Sequence, residues 1–157
     1  MMPVAVAMHR GHDCEFISRR DILTAVVLNG VSTVGEEAFR GCSALFDIEF
    51  SSSTKTIRPR AFMLCERLTT VHLNEGLDTI EEQAFFRCTK LNMITFPTSL
   101  RHIESSFLGC SGLTEINLNE GLEVIGAEAF KDCRNLKTFK IQPENCNKNV
   151  KVWTFQV

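Results

Sequence analysis

Apolar positions in this chain recur with a period of 22 or 23 residues. Five copies of Ala-Phe-x-x-Cys-x-x-Leu-x-x-Ile-x-Leu, with conservative swaps, stand in register. The phenylalanines are Phe39, Phe62, Phe85, Phe107 and Phe130, at steps of 23, 23, 22 and 23 residues. Cys42, Cys65, Cys88, Cys110 and Cys133 repeat with the same steps, as do Leu45, Leu68, Leu91, Leu113 and Leu136. A fixed period of about 20–29 residues with leucines in register predicts a repeat solenoid of the leucine-rich type. These fifteen residues are its expected structural core.

One unit shows how the pattern makes a coil. Leu77 to Phe96 reads LDTIEEQAFFRCTKLNMITF. Leu77-x-x-Ile80 marks one short strand. Leu91-x-x-Ile94-x-Phe96 marks another, in which Ile94 and Phe96 obey the two-residue alternation of a strand. The Glu81-Glu82-Gln83-Ala84-Phe85 run between them is rich in helix formers and predicts a short helical or 3-10 turn. A single unit buries too little to offset its ordering entropy, so neighbouring coils must cover both of its faces. The expected architecture is therefore a curved stack of coils with short parallel strands.

Turn residues agree with this register. Leu73-Asn74-Glu75-Gly76-Leu77 recurs as Leu118-Asn119-Glu120-Gly121-Leu122, and Leu28-Asn29-Gly30-Val31 is a shorter version. Glycine there suits a left-handed turn. The fourth unit has Phe96-Pro97-Thr98-Ser99-Leu100 instead, where proline removes a ladder donor. Ile103 to Phe107 is one residue shorter than Ile80 to Phe85, which produces the 22-residue step. In the second unit Thr54 replaces the apolar residue found at Leu77, Leu100 and Leu122. Residues 16–34 form a degenerate unit without the cysteine, in which Leu23, Val26 and Leu28 match Leu68, Val71 and Leu73. The chain thus divides into an N-terminal flank (1–15), a solenoid (16–142) and a C-terminal cap (143–157), where Trp153, Phe155 and Val157 alternate onto one face.

Composition narrows the possible functions. With 157 residues, 44% hydrophobic, the chain fits about one domain. Its net charge of −2 lacks the basic footprint of a nucleic-acid binder. No apolar run reaches the roughly 18 residues that span a bilayer. The N-terminal apolar stretch carries no preceding basic residue and no cleavage pattern, so a cytoplasmic protein is expected. Seven cysteines are present, five of them in one column. Equivalent side chains on stacked coils point the same way, so these five are expected to stay reduced and act as small hydrophobes.

The motifs that carry this period resemble the BspA-like leucine-rich repeats. Val34-Gly35-Glu36-Glu37-Ala38-Phe39-Arg40-Gly41-Cys42-Ser43-Ala44-Leu45 is similar to that family's unit, and Ile125-Gly126-Ala127-Glu128-Ala129-Phe130-Lys131-Asp132-Cys133 repeats it. The resemblance covers roughly residues 16 to 142. It implies a curved parallel-strand solenoid used as a binding scaffold, and it carries no catalytic motif.

Between the buried residues, strand alternation sends others outward. Asp47, Glu49, Ser51, Thr70, His72, Asn74, Met93, Thr95, Pro97, Glu115, Asn117, Asn119, Thr138, Lys140 and Gln142 should form the exposed strand face. Repeat proteins commonly bind on this face. The partner-binding candidates are Asp47, Glu49, Thr70, His72, Asn74, Thr95, Glu115, Asn117 and Lys140. His9, His12 and Cys14 are three potential metal ligands without a positioned fourth, so no metal site is expected. No cofactor is expected, and no phosphate loop, nucleophile elbow or acid–base pocket is present to suggest an enzyme. The sequence reading is a non-catalytic scaffold that binds a protein partner of unknown identity, neither nucleic acid nor membrane, with oligomeric state open. The alternatives are a fragment or homologue of a cell-surface adhesin and a regulatory repeat domain of a larger enzyme.

Overall fold

The computed structural model describes residues 21–141 and 151–152. Each coil contributes one longer strand, a corner, one two-residue strand and a wall of turns. The longer strands are β1 (Thr24–Val27), β3 (Asp47–Phe50), β5 (Thr70–His72), β7 (Met93–Thr95), β9 (Glu115–Leu118) and β11 (Thr138–Ile141). The short ones are β2 (Thr33–Val34), β4 (Thr56–Ile57), β6 (Thr79–Ile80), β8 (His102–Ile103), β10 (Val124–Ile125) and β12 (Lys151–Val152). All ladders are parallel, and residues one repeat apart are partners, as in Ile48↔Val71 and Ile57↔Ile80. The short strands form one six-stranded sheet in the order β12-β10-β8-β6-β4-β2. The longer ones form two three-stranded sheets, β1-β3-β5 and β7-β9-β11. The fold is a parallel β-solenoid. The proposed N-terminal flank, and Trp153, Phe155 and Val157 of the proposed cap, lie outside the described residues; β12 pairs with β10 at Val124↔Lys151 and Ile125↔Val152.

The repeated residues fill the interior. Phe39, Phe62, Phe85, Phe107 and Phe130 are buried and stack face to face, with ring centroids 5.0–5.5 Å apart and planes within 10°. A centroid spacing in this range is favourable only when the rings are offset. Phe50 and Phe96 meet this column edge-on, against Phe62 and Phe107. Leu45, Leu68, Leu91 and Leu113 are buried, and Leu136 is half-buried. The five cysteines of the column are reduced and buried. Each from Cys65 onward donates its S–H to the carbonyl of a phenylalanine one coil earlier, at 3.0–3.3 Å. Burial, the largest cause, pushes the Cys133 thiol up to about 12 and raises that of Cys88 well above its ordinary value.

The wall after each short strand departs from the sequence expectation. No helix occurs among the described residues. The wall is a run of tight turns whose N–H groups alternate between two targets. Ala38, Arg40 and Cys42 donate three residues back, to Gly35, Glu37 and Phe39. Glu37, Phe39 and Gly41 donate to Pro59, Ala61 and Met63 of the next coil. A helix keeps every N–H within itself; here half are needed between coils. The change of direction requires left-handed backbone before each cysteine, at Gly41, Leu64, Arg87, Gly109 and Asp132. It also appears at Glu37, Arg60 and Gln83.

The irregular positions are resolved locally. Thr54 is buried and donates to the Val31 carbonyl at 3.2 Å. In the shortened coil Ser106 is buried, and its Oγ lies 2.9 Å from the Ile80 carbonyl and 3.0 Å from that of Glu81. The two identical pentapeptides use their glycines differently. Gly76 adopts φ 110°. Gly121 is not left-handed, but a Cβ there would meet the Arg101 guanidinium and lie 3.0 Å from the Thr98 carbonyl.

Candidate binding face

The face made by the longer strands carries the sequence-derived candidates. Ladder register aligns Thr24, Asp47 and Thr70 in one outward file and Val26, Glu49 and His72 in the next. Beyond β5 the files continue as Met93, Glu115, Thr138 and as Thr95, Asn117, Lys140. Eight of the nine candidates therefore share this surface: Asp47, Glu49, Thr70, His72, Thr95, Glu115, Asn117 and Lys140. Asn74 does not point away from the protein in the same manner. It stands half-buried at the corner, where its amide nitrogen donates to the Thr54 and Glu75 carbonyls. Asn119 plays the same part toward Pro97 and Leu100. Pro97, placed outward by alternation, is buried.

A diagonal histidine–carboxylate contact and a diagonal ion pair flank the centre of the face. His72 Nε2 lies 3.4 Å from Asp47 Oδ1, and Lys140 Nζ lies 2.9 Å from Glu115 Oε1. The hydrogen bond from Lys140 is the largest of several effects that hold the Glu115 carboxyl below its ordinary value. Pairs this exposed contribute little stability, but they fix where charge sits. Each pairs a carboxylate with a base one strand on, leaving Glu49 as the carboxylate between β1 and β5.

Sequence reasoning missed the centre itself. β5 and β7 form no ladder, although the coils before and after them do. Phe46 donates to Leu23, Thr69 to Phe46, Thr114 to Asn92 and Lys137 to Thr114, but the corresponding bond from Asn92 to Thr69 is missing. A cleft of about 350 Å³ opens there, with Val71, Leu73, Met93, Phe96 and Pro97 among its apolar lining and Thr70, His72 and Thr95 at its polar edges. Met93 is 57% exposed at its mouth. Both bordering strands are one residue shorter than the others on this face. Leu73, smaller than the Phe50 and Phe96 in equivalent places, is only half-buried, and Pro97 offers no N–H. The one available signal was Pro97, which stops β7 at Thr95.

Among the described residues no group of three His, Cys, Asp or Glu side chains is gathered to hold a metal ion. His9, His12 and Cys14 lie outside them. No helix of the described residues is long and apolar enough to cross a membrane.

With this geometry in hand, the comparisons with known proteins give a family. A model of the BspA type leucine rich repeat region matches residues 32–156 in six copies. The chain belongs to this family. No curated protein matches it. Among solved structures, the T. pallidum leucine rich repeat protein is similar in shape, with 30% identity and a TM-score of 0.70 over 84% of this chain. A leucine rich cell surface protein from Faecalibacterium prausnitzii A2-165 is 23% identical, with a TM-score of 0.76 over 85% of the chain. A leucine-rich repeat protein from Bacteroides ovatus is 23% identical, with a TM-score of 0.61 over 92%. The chain spans 60%, 36% and 46% of these three proteins, respectively. The last two likenesses carry the fold alone.

Proposed function

We propose that this BspA-type chain is a non-catalytic scaffold that binds a protein partner along its longer-strand face. The observation that carries this reading is the register itself. Parallel ladders on either side of the β5–β7 opening hold two outward files of mostly polar and charged side chains on one face, and stacked repeats present such a surface for shape and charge complementarity. The partner is a protein, not a nucleic acid, because the chain's net charge is −2. The test is capture of partners on the purified 157-residue chain, followed by direct titration with each purified candidate. Glu49→Lys and Lys140→Glu on the face should weaken binding about tenfold or more, while Lys90→Glu, exposed on the turn wall, should not. Equal loss from the wall variant overturns the reading.

The description of the F. prausnitzii protein as a cell surface protein favours a second reading, in which the same face works outside the cell. Labelling of intact cells with an impermeant reagent separates this from the cytoplasmic expectation.

A further inference from the structure

The cleft between β5 and β7 is a wedge, open on one face only. Behind it the same two coils stay joined: β6 pairs with β8, and Phe85 stacks on Phe107 at 5.1 Å. The opening therefore has a fixed back and two strand edges that do not satisfy each other. We propose that this cleft receives an extended segment of the protein partner, which pairs its backbone with an open edge and places an uncharged apolar side chain between the strands. The proposal rests on the strand-face reading above and narrows it to the chemistry of the partner.

Three observations select this occupant. First, the groups left over by the missing Asn92-to-Thr69 bond are backbone groups, and the matching chemistry is another extended backbone, as in strand addition to a sheet edge. Second, the lining at Val71, Phe96 and Pro97 is apolar and buried, and Met93 stands at the mouth. An apolar side chain gains by leaving water there, and an unbranched thioether adapts to its shape. Third, the carboxylates bordering the cleft already have polar neighbours, and no lysine or arginine lines it. His72 faces Asp47, Glu115 faces Lys140, and the Glu75 carboxylate accepts the Thr98 N–H and hydroxyl. An anionic side chain entering the cleft would lose water beside the Glu75 carboxylate and gain no cation.

A displayed library of short linear peptides, selected on the full chain, tests this. Selected peptides should share one uncharged apolar residue within an alternating pattern. Met93→Arg should weaken them about tenfold or more, and Thr95→Arg should do the same; both side chains are exposed, and a thermal melt checks that the variants fold. N-methylation of alternate peptide nitrogens should weaken binding comparably. Amide exchange at Val71, Met93 and Thr95 should slow in the complex. The inference is overturned if no peptide is enriched, if the enriched peptides bind the Met93→Arg protein unchanged, or if the methylated peptides bind as well as their parents. If a captured partner responds to Glu49→Lys or Lys140→Glu but not to Met93→Arg, the cleft inference falls while the strand-face reading stands. If it responds to none of them, both fall.

Discussion

Phe85 has no exposed surface and lies between two parallel rings, each 5.1 Å away. Its truncation removes both stacking contacts and leaves a void that flanking coils cannot fill without breaking their ladders. Phe85→Ala should cost about 3–5 kcal/mol, read from urea unfolding; a loss under about 1 kcal/mol would mean that the ring is not held in the column. The thiols make a second residue-level statement. Burial raises the pKa of Cys133 from 9.0 to about 12, so the protonated thiol is favoured in the folded chain. Its stabilising share is complete below about pH 9, where unfolded thiols are also protonated, and is lost as pH rises from there toward 12. Reversible unfolding should therefore ease above pH 9, and Cys133→Ala should flatten that part of the profile. The columns themselves were legible in the sequence because each repeats one residue type at one spacing. What was not legible is how they meet. Ring offset and the S–H to carbonyl bonds depend on rotamers and on the distance between coils, which periodicity does not specify.

The wall of turns shows where local propensity misleads. Glu81 to Phe85 contains good helix formers, yet the segment donates alternately inside its own coil and to the next. Propensity counts only local bonds, and stacking takes half of them away. The shortened coil repairs its missing residue with a side chain: Ser106 bonds to the Ile80 and Glu81 carbonyls of the preceding coil. Ser106→Ala should cost about 1 kcal/mol, whereas Ala84→Ser, at the regular place one coil earlier, gains no such pair of acceptors. Denaturant midpoints of the two variants check this, and equal effects would remove Ser106 from its bridging role. On the strand side, the pair between β9 and β11 sets a pH signature. Glu115 is held below its ordinary value, chiefly by the Lys140 hydrogen bond, so its contribution is present above about pH 4.5 and is lost as pH falls through the lower folded value. Lys140→Gln should move the Glu115 carboxyl midpoint upward in an NMR titration; an unchanged midpoint would show that the pair does not persist in solution.

At the scale of the whole molecule, the period was enough to establish a parallel solenoid, since every coil repeats the same inward set. It could not reveal the discontinuity between β5 and β7, because residues 70–97 keep their 23-residue spacing while the ladder opens. A break of this kind arises from the relative bulk of Phe50, Leu73 and Phe96 in one column and from the missing donor of Pro97. Hydrogen exchange on the unbound protein should expose it: amides in β5 and β7 should exchange faster than those in β6 and β8 of the same coils, where the ladder is intact. Uniform protection on both sides would mean that the cleft closes in solution. The wall of turns has a larger effect. Its bonds between coils all point one way, from Glu37, Phe39 and Gly41 to the second coil, from Arg60, Phe62 and Leu64 to the third, and onward to Phe107 and Gly109 donating to Ala129 and Lys131. Two such files of aligned peptide groups run along the axis to the last coil, and a third ends where Gln83 donates to Ser105; they align as around an α-helix, although no helix is present among the described residues. Their dipoles add in the same manner. The wall is therefore an electrically polarised rod, negative toward the first coil and positive toward the last, where the carboxylates of Glu128 and Asp132 stand. Any coil added at either end must arrive in the same orientation, because a reversed one would oppose donor to donor.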